Sequence, residues 1–198
     1  KDSVLGDVHL VKDTQYNRTL LVKERILKTK AEIAREMEEY NILYKLNEAV
    51  GSVKFLGYTY KLNKNVTPNV HHYISLREYY EHDFEREMAN RLRNKDVFTE
   101  EEIWKIGQYL IGYMARLQSL GLTHEDIRPK NIIVSREGEY KLNYDPARVS
   151  AYQQIIRGSS VPEHKYLLSP ELLGALYEEV PEPKYDHVLS DVFAVGII

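Results

Sequence analysis

His124-Glu125-Asp126-Ile127-Arg128-Pro129-Lys130-Asn131 is the most chemically loaded stretch of this chain. A histidine stands two residues before an aspartate, and an asparagine stands five residues after it. The stretch runs directly into Ile132-Ile133-Val134-Ser135, an apolar β-branched run that reads as a short strand. Upstream, Thr99 followed by Glu100, Glu101 and Glu102 predicts a helix start, with a capping hydroxyl and acids facing the positive helix end. Ile103, Ile106, Leu110, Met114 and Leu117 continue that helix at three-to-four spacing, and Gly121 ends it. Downstream, Tyr140 to Asn143 reads as a second short strand, separated from the first by the turn Arg136-Glu137-Gly138. A polar, titratable loop is therefore expected between a long helix and a small hairpin.

Nearer the N-terminus the pattern is strand-like. Val8-His9-Leu10-Val11 and Leu20-Leu21-Val22, with a polar turn from Lys12 to Thr19, predict two strands within Val8 to Ile26. Lys30 to Leu46 reads as a helix, because Ile33, Met37, Tyr40, Leu43 and Tyr44 recur three to four apart with charges between them. Two more strands, Val53 to Tyr60 and Tyr73 to Leu76, flank a polar turn with Asn63-Lys64-Asn65 and Pro68-Asn69. The chain closes on an apolar segment from Val192 to Ile198. The expected fold class is α+β: a β-rich N-terminal half, residues 1–80, and a mainly α C-terminal half, residues 81–198. The boundary is expected near Tyr80 to Phe84.

At 198 residues the chain can bury a sizeable core in one domain or two small lobes. Its 43% hydrophobic and 29% charged residues are the balance of a globular protein, not a disordered one. A formal net charge of −3 argues against nucleic acid or a membrane surface as partner, since both need a cationic excess. The absence of cysteine excludes disulfides and thiolate zinc sites. No stretch approaches the ~20 apolar residues that span a bilayer, and the N-terminus lacks the apolar core of a signal peptide. A cytoplasmic or otherwise intracellular protein is the expectation. The histidines other than His124 and His164, His71 and His72 included, show no ligand spacing, since adjacent strand residues point to opposite faces. They are expected on the surface.

The order and spacing of these pieces resemble a protein kinase domain. His124, Asp126 and Asn131 resemble the H-R-D-x-x-x-x-N catalytic loop. There the aspartate accepts the proton of the attacking hydroxyl, and the asparagine amide oxygen holds a metal ion beside the phosphates. Leu20-Leu21-Val22-Lys23 resembles the V-A-I-K strand, whose lysine binds the first phosphates of ATP, and Glu39 resembles the acid that orients it. Leu168-Ser169-Pro170-Glu171 resembles the A-P-E end of an activation segment. Ser190-Asp191-Val192-Phe193-Ala194-Val195-Gly196 resembles the start of the long buried helix, whose aspartate ties down the catalytic-loop backbone. A lysine after apolar residues, or an acid on an amphipathic helix, is by itself usually a solvated charge. Four pieces in the right order across the chain carry the resemblance. Small-molecule kinases share the fold and the loop, but not the last two pieces.

The resemblance implies a bilobal fold and a set of roles. Asp126, Arg128 and Asn131 would serve catalysis. Gly6, Val8, Lys23, Glu39, Glu78, Tyr80 and Ile133 would surround the nucleotide. ATP and Mg²⁺ would be the cofactors, with Asn131 and Asp145 on the metal if the domain is active.

Several positions depart from the pattern. In direct register after Tyr140-Lys141-Leu142-Asn143, the D-F-G triplet reads Tyr144-Asp145-Pro146. A neutral phenol is a poor ligand for a hard cation. Asp145 takes the apolar phenylalanine place, where an unpaired buried carboxylate is costly, and Pro146 stiffens the hinge. A one-residue slip through a bulge would bring Asp145 to the metal instead; the spacing of Leu142 favours the direct register. Of the lid glycines only Gly6 survives, with Lys1 and Ser3 in the other places. Leu21 crowds the adenine side, and Arg77 either stands at the back of the pocket or snorkels to solvent. Glu125 replaces the arginine that would receive a phosphorylated activation loop, and it would repel such a phosphate. Ser150, Ser159 and Ser160 are thus poor activating phosphosites. Glu125 is expected either to pair with Arg148 or Arg157 or to lie exposed. Arg128 keeps the charge but not the shape of the usual lysine, and His164 replaces a threonine of the substrate site.

The expectation is a pseudokinase with a scaffold or allosteric role and a protein partner. The alternatives are a divergent active Ser/Thr kinase using Asp126 as base and Asp145 on the metal, or a nucleotide sensor without turnover. Because the chain stops inside the buried helix after Gly196, a longer natural protein, or other chains covering this surface, is also expected.

Overall fold

A computed structural model describes residues 7–63, 70–135, 138–147, 149–158 and 162–198. The chain forms two compact units, one made of residues up to Glu48 plus Val53–Glu81, the other of Ala49–Ser52 plus His82–Ile198.

In the first unit β1 (Asp7–Asp13) and β2 (Arg18–Leu27) form a hairpin. Its turn is held by Asp13 Oδ1, which accepts the main-chain N–H groups of Gln15 and Tyr16. β3 (Phe55–Asn63) and β4 (Val70–Glu78) complete an antiparallel sheet in the order β1-β2-β4-β3. The polar turn read between β3 and β4 lies, over residues 64–69, outside the described residues. The register of β3 shifts between Phe55 and Gly57. Gly57 has φ 137 there, and a Cβ would come within 3.3 Å of the Tyr44 hydroxyl, so glycine relieves both backbone and space.

The helix α1 (Lys30–Leu46) opens with a capping box. Thr29 accepts from the Glu32 N–H, and Glu32 accepts from the Thr29 N–H. Its buried residues are Glu36, Glu39, Tyr40, Leu43 and Leu46. The apolar spacing pointed instead to a stripe including Tyr44, which is 45% exposed. The rotation has a polar cause, described below. Tyr40 stacks on Phe55 and Tyr58 at centroid distances of 5.3 and 4.5 Å, and this aromatic cluster closes the core between helix and sheet.

The second unit contains α2 (Phe84–Asn94), α3 (Glu100–Ser119), β5 (Ile132–Val134), β6 (Tyr140–Leu142), α4 (Ala151–Ile156), α5 (Pro170–Tyr177) and α6 (His187–Ile197). α3 begins with the expected cap: Thr99 accepts from the Glu102 N–H, and Glu102 returns the bond. Arg91 of α2 and the Thr99 main chain hold the Glu102 carboxyl down to about 2. The helix ends with Leu122 N–H donating to Leu117 O at 3.0 Å and Gly121 at φ 70. α2 was not expected from the sequence. Its cap is Asp83, which accepts the Arg86 N–H at 2.8 Å.

β5 and β6 pair antiparallel, Ile132 opposite Leu142 and Val134 opposite Tyr140. Gly51 O accepts the Leu142 N–H at 2.8 Å, which seats residues 49–52 against this hairpin. The core beneath is formed by Leu110, Tyr113, Leu117, Ile132 and Leu142, each at most 2% exposed. Among the described residues, no helix is long and apolar enough to cross a membrane.

Candidate functional site

The loop from His124 to Asn131 is held from below by α6. Asp191 accepts the His124 N–H at 2.6 Å on one oxygen and the Glu125 N–H at 2.8 Å on the other. This is the tie that the resemblance implied. Burial pushes the Asp191 carboxyl up to about 6, although the two main-chain donors pull it down. The His124 ring takes the Asp126 N–H on Nδ1 at 3.3 Å and donates from Nε2 to Asn143 O at 3.2 Å. That pattern fixes the ring tautomer and joins the loop to the end of β6.

Asp126 is 1% exposed. Arg128 is ion-paired with it: Nη2 donates to Oδ2 at 3.1 Å, and Nε stands 3.0 Å from Oδ1 without hydrogen-bond geometry. Asn131 donates its amide N–H to Asp126 O at 2.7 Å. This bond leaves the Asn131 amide oxygen as the atom that could meet a cation. Asp126, Arg128 and Asn131 are therefore gathered in one place, and Ile133 stands two residues on, in β5.

After β6 the pairing stays regular: Asn143 N–H donates to Asn131 O at 2.9 Å, with no bulge in Tyr140–Leu142. Tyr144 follows, packed edge-on against the His124 ring at 5.8 Å. Burial, together with the nearby Glu125 and Asp145 carboxylates, pushes its phenol up to about 12. Asp145 is half-buried and its Oδ1 accepts the Ala147 N–H at 3.2 Å, a local turn around Pro146.

Glu125 sits at φ 60. Its Oε1 accepts the Thr123 hydroxyl and lies 2.8 Å from His187 Nδ1. The expected partner Arg157 is exposed and makes no such pair, and Arg148 lies outside the described residues. Among the described residues the partner is His187 instead: Asp191 draws the start of α6 under the loop, and His187 in that first turn reaches Glu125. His164 has no described side chain.

In the first unit, Val8 is the cross-strand partner of Lys23 and is 53% exposed. Lys23 and Glu39 are each 8% exposed. Glu39 also lies against Arg25, whose Nη1 is 3.2 Å from its carboxylate and pairs closely with Glu36 as well. This guanidinium is why two acids, Glu36 and Glu39, face inward on α1 beside Tyr40 and Leu43 of the expected stripe, while Tyr44 turns outward. Arg77 is half-buried on β4 opposite Leu21. Glu78 accepts the Lys54 N–H and the Tyr80 hydroxyl, each at 3.0 Å. Gly6, Lys1 and Ser3 lie outside the described residues.

Two residues bearing on the site were missed from the sequence. Arg25 carries no motif, and Gln154 on α4 lies 28 residues from Asp126, to which it donates at 3.0 Å.

Residues 4–198 match the sequence pattern of the protein kinase domain. The chain is 28% identical over 112 residues to CBL-interacting protein kinase 17 of Oryza sativa subsp. japonica, covering 57% of this chain and 24% of that protein. It is 30% identical over 95 residues to ribosomal protein S6 kinase 2 beta of Xenopus laevis, covering 41% and 15%. It is 27% identical over 130 residues to the probable serine/threonine-protein kinase RTK1 of Saccharomyces cerevisiae, covering 64% and 19%. The chain thus spans less than a quarter of the length of each of these relatives. With a family match over nearly all of its residues, the chain belongs to the protein kinase domain family.

Proposed function

We propose that the chain is a pseudokinase domain, which transfers phosphate weakly or not at all and acts as a scaffold or allosteric element for a protein partner. Tyr144 carries this reading. It follows an unbroken strand, it packs on His124, and its phenol is neutral at physiological pH. Phosphoryl transfer depends almost wholly on positioning and charge neutralisation. When bound, Mg²⁺ supplies that neutralisation. The residues present fit the metal poorly: Asn131 offers an amide oxygen, a phenol stands in register for the carboxylate, and Asp145 is turned into its own loop. Lys23 and Glu39 keep the residue types that suit ATP, so nucleotide binding without turnover is part of the proposal. An intracellular setting, with neither nucleic acid nor membrane as partner, belongs to the same reading.

A divergent active Ser/Thr kinase is the second reading. It is favoured by the retained cluster of Asp126, Arg128 and Asn131 over the Asp191 tie, and by relatives that are all named as kinases. Asp126 would then accept the substrate proton, and Asp145 would take the metal.

Calorimetric titration of ATP with and without Mg²⁺, followed by transfer to a generic peptide, separates the two. Metal-independent binding and no transfer are expected. Metal-enhanced binding with transfer that Asp126→Asn abolishes would overturn the pseudokinase reading.

A further inference from the structure

β2 carries Lys23 and Arg25 two residues apart, so both side chains lie on one face of the sheet, the face that α1 covers. Opposite them α1 sets Glu36 and Glu39 one turn apart, 3% and 8% exposed. A single nitrogen, Arg25 Nη1, meets both acids, closely at Glu36 and at 3.2 Å at Glu39. The Tyr40 hydroxyl donates to Glu36 and also meets Ser75. Ser75 is the cross-strand partner of Lys23, and its Oγ donates to Lys23 O at 3.4 Å. A polar chain thus runs from Arg25 through Glu36, Tyr40 and Ser75 back to the main chain of Lys23.

This is one acid more than the orientation of a lysine requires. Two buried carboxylates set against one ammonium would draw its positive charge inward and leave little of it for an anion. Arg25 offsets the second acid within the same layer. Register places Arg77 on this face too, two residues beyond Ser75 and opposite Leu21, which adds a third cation to a face with two buried acids. Such a surplus favours an anionic ligand that brings no metal of its own.

We propose that Arg25 is a positioning residue for Lys23: it holds Glu39 and offsets Glu36, so that the Lys23 ammonium keeps its charge for the phosphates of a nucleotide bound without metal. The inference rests on the proposed nucleotide binding, with Lys23 as the phosphate ligand, and does not depend on turnover. Arg25 acts through the two carboxylates and not on the nucleotide itself. An arginine suits this place because its guanidinium stays charged when buried and can serve two acids at once.

Two readouts on the full chain, taken where circular dichroism shows each variant folded, test the idea. In calorimetric titration of ATP in EDTA, Arg25→Met is expected to weaken binding at least ~10-fold. Adding Glu36→Gln removes the surplus acid and is expected to regain most of that loss. A merely structural ion pair predicts no such rescue, because the double variant lacks the pair altogether. The second readout needs no nucleotide: acylation of the Lys23 amine by a succinimidyl ester, followed by mass spectrometry. An ammonium held by two carboxylates gives up its proton less readily, so Arg25→Met is expected to slow labelling at least ~3-fold, and Glu36→Gln to restore it. Should Arg25→Met fail to fold, Glu36→Gln by itself decides: tighter ATP binding and faster labelling uphold the proposal, and no change in either overturns it. Wild-type values in Arg25→Met, or losses that Glu36→Gln does not repair, overturn it as well. A wild type that binds no ATP, yet shows slowed and restored labelling, upholds the hold of Arg25 on Lys23 and overturns nucleotide binding. ATP binding without either Arg25 effect does the reverse.

Discussion

His187 Nδ1 lies 2.8 Å from Glu125 Oε1, so the first turn of α6 is joined to the residue between His124 and Asp126. The Thr123 hydroxyl donates to the same oxygen, and the Tyr185 ring lies 4.2 Å from the imidazole. In the family pattern this position holds a cation that waits for a phosphate. Here it holds an acid already engaged within the fold, so activation-segment phosphorylation has no receptor at Glu125.

The first prediction concerns that pair. Its side chains are 50% and 30% exposed, and solvent screens it, so it contributes a fraction of a kcal/mol, roughly 0.2–1. His187→Ala is expected to lower the melting temperature by about 1–3 °C. Adding Glu125→Gln should lower it little further. Strictly additive losses in a double-mutant cycle would show that the two residues act separately.

Arg25 is the half-buried cation that seats α1. Its guanidinium meets Glu36, which is 3% exposed, and Glu39 at 3.2 Å. Arg25→Met leaves two buried acids without this partner and is expected to destabilise the fold by about 3–5 kcal/mol. Arg25→Lys keeps the charge but not the fork, and should lose less. Urea unfolding checks both. A loss below ~1 kcal/mol for Arg25→Met would mean that packing of Tyr40 and Leu43 alone holds the helix.

The elements that the sequence reveals are those whose signals are local. Thr99 and Glu102 announce the start of α3 within four residues, and Gly121 marks its end. The catalytic-loop pattern and the Asp191 motif are likewise contiguous, and the structure joins them. Contacts across long separations leave no such trace. Arg25 reaches residues 11 and 14 positions away, and only a fold shows that a strand and a helix face each other there. α4 has six residues, too few for a hydrophobic period to stand out. α2 did carry a readable cap at Asp83, but it buries only Phe84, so its apolar pattern is faint. Of the two arginines expected opposite Glu125, Arg148 lies outside the described residues and Arg157 is exposed; His187 stands there instead, a contact 62 residues away that charge alone does not reveal.

Ser169 offers a stabilising substitution. It caps α5 without a side-chain bond, and its buried Oγ has no hydrogen-bond partner among the described residues. A buried unsatisfied hydroxyl costs about 1–3 kcal/mol. Ser169→Ala should therefore leave stability unchanged or raise it by up to ~1 kcal/mol. A clear loss in thermal unfolding would reveal a partner for Oγ.

Asp191 gives the stability of the domain a distinctive pH dependence. Burial pushes the folded carboxyl from the ordinary 3.8 up to about 6. Between these values the folded chain binds more protons than the unfolded one, so stability falls as pH rises through this window. The contribution is fully present below about pH 4 and lost above about pH 6; two units correspond to on the order of 3 kcal/mol. Asp191→Asn removes the titration. The stability of the wild type relative to this variant is expected to fall between pH 4 and pH 7 in denaturant titrations. A relative stability that rises over that range would mean that the His124 and Glu125 N–H bonds outweigh burial.

Tyr144 permits the sharpest separation of the two functional readings. Its ring packs on His124, and its hydroxyl is held neutral by burial and by the Glu125 and Asp145 charges. If the phenol takes no part in metal binding, Tyr144→Phe should leave ATP affinity and its response to Mg²⁺ unchanged. Tyr144→Asp places a carboxylate in the register where the family carries one. It is expected to create a Mg²⁺-dependent gain in ATP affinity of at least ~10-fold, while losing about 1–3 kcal/mol of stability in the absence of metal, because the new charge is partly buried. Asp145→Asn should change neither binding curve, since that carboxylate is engaged by the Ala147 N–H. Wild-type binding that already rises with Mg²⁺ and collapses in Asp145→Asn would move the metal to Asp145 and restore the active-kinase reading.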